Sequence, residues 1–211
     1  MKTIYTLAAL ALFGIASAQT TTSVSNFKNL AVNGDVHVTL IKSSENKLVI
    51  TADDDEVQVD QENDMLSISG DGHVTLYYKN IETLAASEDC VVTGKDVITG
   101  KLFTLVASSD ARVTLEMKTD KLNTVATEDA VVTLTGSVKE HTVAIQSDAV
   151  LKASGLETDV TSVTASSDAH AAVKAKKVIN ALADSDAVIE IHGNPEKINN
   201  TTDSDGVIKK A

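Results

Sequence analysis

Seven aspartates recur along this chain in nearly the same local phrase. The phrases are Ser87-Glu88-Asp89-Cys90, Ser109-Asp110-Ala111, Glu128-Asp129-Ala130, Ser147-Asp148-Ala149, Ser167-Asp168-Ala169, Ser185-Asp186-Ala187 and Ser204-Asp205-Gly206. Subtracting successive Asp numbers gives spacings of 21, 19, 19, 20, 18 and 19. Stacked at a strand spacing of about 4.8 Å, neighbouring carboxylates would repel by roughly 0.9 kcal/mol in bulk water. A divalent cation such as Ca²⁺, bridging successive carboxylates with Glu88, Glu128 or Ser hydroxyls, would relieve that repulsion. Asp89, Asp110, Asp129, Asp148, Asp168, Asp186 and Asp205 are therefore a candidate cation ladder. The competing and preferred reading is structural. Asp suits a chain corner because its side chain accepts hydrogen bonds from backbone N–H groups two residues on. The nine-residue Gly-rich calcium repeat is absent. The run Asp53-Asp54-Asp55-Glu56 reads as a solvated loop.

The remaining reactive residues are scattered. His37, His73 and His170 share a column two residues after the corner Asp, at rungs expected to lie too far apart to share a metal. His141 and His192 have no evident partner. Cys90 is the sole cysteine, so no internal disulfide can form. It occupies a slot held by Ala in later repeats and reads as a small buried filler. An acid–base pair of aspartates one or two rungs apart could hydrolyse a polysaccharide. A regular ladder, however, offers no two environments that would drive two pKa values apart. Arg112 is the only Arg, and Tyr77-Tyr78 is the only aromatic pair. The chain is expected not to be an enzyme and to need no cofactor, with Ca²⁺ the one candidate ion.

The elements that would hold these residues follow from the period. Repeats of about twenty residues bury their apolar faces only against one another, which makes a solenoid. One residue after each Asp stands Cys90, Ala111, Ala130, Ala149, Ala169, Ala187 or Gly206. Three after stands Val92, Val113, Val132, Leu151, Ala171, Ile189 or Ile208. Four after comes Thr93, Thr114, Thr133, Lys152, Ala172, Glu190 or Lys209. This alternation marks a strand with one face in the core. A second strand precedes the Asp, with inward residues three and five back and a polar column six back (Thr83, Thr104, Asn123, Thr142, Ser162, Asn180). Each coil is then strand, Asp corner, strand and a looser second corner carrying Gly, Lys or Asp. The expected fold is all-β, a right-handed parallel β-helix with coils of about 19 residues. The column two after the Asp faces outward. Its Val91, Val131, Val150, Val188 and Val207 are a candidate interface for self-association or a partner.

Lys2, the apolar stretch Ile4 to Ile15 and Ala16-Ser17-Ala18 read as a signal peptide over 1–18. Residues 19–25 read as a linker, and 26–211 as a single β-helix domain with repeats clearest over 82–211. Within that domain the Asp35 and Asp71 segments are expected two rungs apart, with Asp53 or Asp54 on the rung between. Loss of Lys2 takes the formal charge from −12 to −13. So acidic a surface argues against nucleic acid and anionic membranes as partners. No second apolar stretch follows, so no membrane insertion is expected after leader cleavage.

The opening Phe27-Lys28-Asn29-Leu30-Ala31-Val32-Asn33-Gly34-Asp35-Val36, the leader and the repeated corner resemble the head GIN domain family of putative autotransporter adhesins. The resemblance implies a right-handed β-helix related to pectin lyase-like folds and a role in surface adhesion. The family's corners are Gly-Ser-Gly-like, whereas here they are mostly Ser-Asp-Ala. The functional expectation is a non-enzymatic exported protein of the periplasm, cell surface or medium, binding a glycan, matrix or protein ligand. The alternatives are a self-associating envelope or matrix component (a homo-oligomer) and, less favoured, a polysaccharide-active β-helix enzyme.

Overall fold

The structure is a computed structural model that describes residues 19–51 and 56–211. The expected leader and the run from Asp53 to Asp55 lie outside the described residues. The chain forms a parallel β-solenoid with coils about 19 residues apart. From β8 (Thr83–Ser87) and β9 (Val91–Gly94) onward, each strand pairs in parallel with its equivalent one coil later. The ladder continues through β10 (Ile98–Ala107), β11 (Arg112–Ala126), β12 (Val131–Gln146) and β13 (Val150–Ser166). It passes through β14 (His170–Lys174), β15 (Val178–Ala183) and β16 (Val188–His192) and ends at β17 (Lys197–Thr202) and β18 (Val207–Lys210).

In-register stacking puts like residues over like. Val92, Val113, Val132, Leu151, Ala171 and Ile189 form one inward column, all buried. Each fully buried Val, Leu or Ile contributes about 1.5–3 kcal/mol. At the centre of the solenoid the second corner expected between coils does not interrupt the strands. There β11, β12 and β13 run straight through it, with Lys118, Ser137 and Glu157 in register. Backbone hydrogen bonds between coils hold that bend, and Gly136 turns it in one coil at φ +103°.

The N-terminal part departs from a simple succession of coils. Before β8 come β1 (Gln19–Ser23), β2 (Asn29–Asn33), β3 (Val36–Lys42) and β4 (Lys47–Thr51). Then follow β5 (Gln58–Glu62), β6 (Met65–Ser69) and β7 (Gly72–Tyr78). β2 pairs with both β6 and β8, and β3 with both β7 and β9. The first coil in sequence is therefore second in space, inserted between the coil of Asp71 and the coil of Asp89. This corrects the expected order, in which a rung at Asp53 or Asp54 separates Asp35 from Asp71. The reason is residue matching: Val38, Leu40 and the intervening Thr39 align with Val74, Leu76 and Thr75.

The stretch between these coils closes the end of the barrel. β4 lies antiparallel on β7, and β5 antiparallel on β6. Gln19–Ser23, expected as part of a linker, is a strand antiparallel to β4. Its run of Thr residues has high β propensity and pairs an edge that would otherwise be open. Asn46, nearly buried, ties the cap together. Its Nδ2 donates to the Ser25 carbonyl at 3.0 Å, and its Oδ1 accepts the Lys79 N–H at 2.8 Å. At the other end, the inward positions of β17 hold Asn200 and Thr202, both exposed. A polar last coil is what an uncovered solenoid end requires.

Candidate functional site

The repeated phrase forms a tight two-residue corner. Ser147 and Asp148 have φ of +55° and +62°, and each of the seven repeats has both residues in this region. In the coils of Ala111, Ala130, Ala149, Ala169 and Ala187, the Ala N–H donates to the carbonyl three residues back, as from Ala111 to Ser108 at 3.2 Å. Two positive φ values bridged in this way make a type I′ turn, which selects Asn, Asp and Gly. The structure thus accounts for Asp through its backbone conformation. Each Asp N–H from Asp89 to Asp186 donates to the corner carbonyl of the next coil at 3.0–3.2 Å. The Ala slot after it lies fully inside, and Cys90 fills that slot in its own coil.

The seven ladder carboxylates all lie on the solvent side of this corner. One contact relieves the negative charge directly: the Ser109 hydroxyl donates to Glu128 at 2.8 Å. Among the described residues, no three His, Cys, Asp or Glu side chains converge as a metal cage would require.

The Val column runs in the order His73, His37, Val91, Arg112, Val131, Val150, His170, Val188, Val207. Val91, Val131, Val150 and Val188 are half-buried, and Val207 is 46% exposed. Arg112 and His170 interrupt the apolar run, so it forms three short patches and no continuous stripe.

The histidines require corrections. His37 and His73 are not coils apart; the inserted coil stacks them with ring centroids 4.9 Å apart. His170 remains remote from both. His141 has a partner: its Nε2 lies 3.0 Å from Thr124 Oγ1 in the core. It stands in an inward column between Leu122 and Thr161. Burial holds its pKa down at about 4, so the ring is neutral near pH 7. His192 lies 3.8 Å from Glu190. Burial also pushes the Cys90 thiol up to about 11. Tyr78 is buried, and Tyr77 lies under Lys47 Nζ at 4.4 Å from its ring centre, so the pair is no free sugar platform.

A second outward face escaped the sequence reading. Inward residues three and five before the Asp leave the fourth pointing out, which is the signal that would have found it. That column includes Ala85, Val106, Val125, Ala144, Thr164 and Leu182 in register. Val106, Val125 and Leu182 are 36%, 37% and 40% exposed. It is flanked by Ser87, Ser108, Thr127, Gln146 and Ser166 on the corner side, and by the Thr and Asn column on the other. From the Met65 rung to the Ser162 rung these three columns carry no charged residue; Asp184 and Asp203 at the far end are the first. Beyond the Thr and Asn column, the second corner carries ion pairs. Lys121 meets Glu140 at 2.8 Å, Lys139 meets Asp120 at 2.7 Å and Lys177 meets Asp159 at 3.0 Å.

These features define an acidic all-β solenoid whose outward columns are set by stacking. Solved structures share the architecture. An adhesin described as putative from Bacteroides fragilis superposes with a TM-score of 0.84 at 15% identity, over 92% of this chain and 96% of that one. A second such adhesin, from Parabacteroides distasonis, gives 0.72 at 16% identity over 92% and 96%. A protein from the same species described as a putative lipid binding protein gives 0.70 at 13% identity over 92% and 96%. At these identities the likeness is one of fold. No curated protein matches the sequence. The chain belongs to the family described as putative auto-transporter adhesin, head GIN domain, whose pattern matches residues 26–195.

Proposed function

We propose that this protein is a non-enzymatic, exported, adhesin-like protein that presents a repeating acidic edge to a ligand outside the cytoplasm. The observation that supports this reading most directly is the exposed column of seven corner carboxylates, one per coil along the solenoid. Such an edge favours partners with regularly placed cationic or hydrogen-bond donor groups, as on matrix proteins or amino-sugar glycans. Membership of an adhesin-described family and an N-terminus that reads as a leader support a cell-envelope or extracellular setting.

The test is a binding screen of immobilised protein against glycans and matrix proteins, with product analysis of each polysaccharide. Saturable binding is expected, weakened by salt and by Asp129→Asn, Asp148→Asn and Asp168→Asn combined, with no product released. Polysaccharide turnover abolished by Asp→Asn at one rung would overturn the reading. So would binding indifferent to the triple change.

A further inference from the structure

The acidic edge leaves the uncharged sheet face without a role. On a chain of formal charge −12, three adjacent columns over seven rungs hold only Ser, Thr, Asn, Gln, Ala, Val and Met. The central column is Ala or Val over five successive rungs, closed by Ser67 and Thr164, and the flanks are polar apart from Met65. Paired ions border it on one side and the Asp corner on the other. A less polar centre within a polar rim is the anatomy of a protein interface. Side chains this short leave a nearly flat sheet, which suits packing against another sheet at about 10 Å.

We propose that the partner is a second copy of this chain, packed face to face through the column of Val106, Val125, Ala144 and Thr164. Seven uncharged rungs at about 4.8 Å and three columns about 6.8 Å apart give a patch of about 34 by 15–20 Å. That is roughly 500–700 Å² per partner, at the lower edge of specific interfaces, which begin near ~600 Å² per partner. Charge selects the geometry. Two acidic copies repel least across a face that carries no charge. A two-fold axis across the solenoid would lay one Asp corner over the other. An axis along the solenoid instead sets each Asp corner opposite the partner's second corner, where Lys121, Lys139 and Lys177 neutralise the local carboxylates. Each rung then faces its own equivalent across the axis.

The experiment is sedimentation equilibrium on the chain produced with its own leader and purified after export. A dimer is expected at micromolar concentration. Val125→Lys and Thr164→Lys replace exposed strand residues, so circular dichroism should be unchanged while the dissociation constant rises at least a hundredfold. Val131→Lys, on the other outward face, should leave it unchanged. A short bis-maleimide should join both Ala85→Cys and Ala144→Cys dimers at their own rungs, while buried Cys90 stays silent. The cross-links keep the test decisive if a Lys variant misfolds. A monomer at about 100 µM would overturn the proposal. So would a dimer lost in Val131→Lys but not in Val125→Lys, absence of both cross-links, or a glycan captured by a monomer through Val125.

Discussion

Replacing Asp148 with Asn separates the two explanations of the ladder. Asp148 sits at φ +62° in mid-solenoid, with Asp129 and Asp168 one rung away on either side. Asn tolerates the left-handed region as Asp does, so the corner keeps its conformation. What changes is charge. At about 4.8 Å each neighbour repels by roughly 0.9 kcal/mol in bulk water, and physiological salt screens this to about half. Two neighbours give about 1 kcal/mol of relief. The Asn amide can instead hydrogen-bond along the stack, as Asn199 already does to Asn180 at 2.8 Å. The variant should gain about 0.5–1 kcal/mol, raising Tm by roughly 1–4 °C for a chain of this size. The gain should shrink in 1 M salt, where the screening length is about 3 Å. Asp148→Val removes the same charge but forces a β-branched residue to positive φ. It should lose about 2 kcal/mol. Thermal melts by circular dichroism, in EDTA and in millimolar Ca²⁺, read both variants. A loss for Asp148→Asn in EDTA would refute the backbone account of the corner. A gain in EDTA that becomes a loss in Ca²⁺ would show a cation site coupled to folding.

Three further outcomes are expected. Gly136 has φ +103°, and an added Cβ would lie 2.2 Å from the Met117 carbonyl oxygen, so Gly136→Ala should cost at least about 2–3 kcal/mol in urea melts. The pKa of His141 is depressed in the fold, so the unfolded chain binds the extra proton between about pH 4 and 6.5. Stability is complete above that window and falls by about 3 kcal/mol as pH drops through it. His141→Leu should flatten that slope, and an unchanged slope would assign it to other groups. Cys90, buried with its thiol pushed up to about 11, should resist a thiol reagent at pH 8 in the native state and react fully in denaturant.

What could be read from the chain was whatever repeats. A fixed spacing of Asp-Ala phrases and the period-two alternation after them determine a stacked β-fold, because parallel in-register stacking turns each repeated residue into a column. Cys90 as a core filler followed from that column alone. The N-terminal coils were not legible in the same way. Nothing local tells β2 to slot between β6 and β8, or β3 between β7 and β9; that order depends on which apolar strands match across some 35–55 residues. This insertion brings His37 onto His73 and makes the Thr-rich start an edge-covering strand. The reason for the Asp was likewise hidden, since a sequence shows a side chain but not the sign of φ. Tertiary structure alone decided that the acidic edge and the uncharged face are separate surfaces. Their separation comes from the corner, which turns the chain between two sheets and sends alternate residues of each outward.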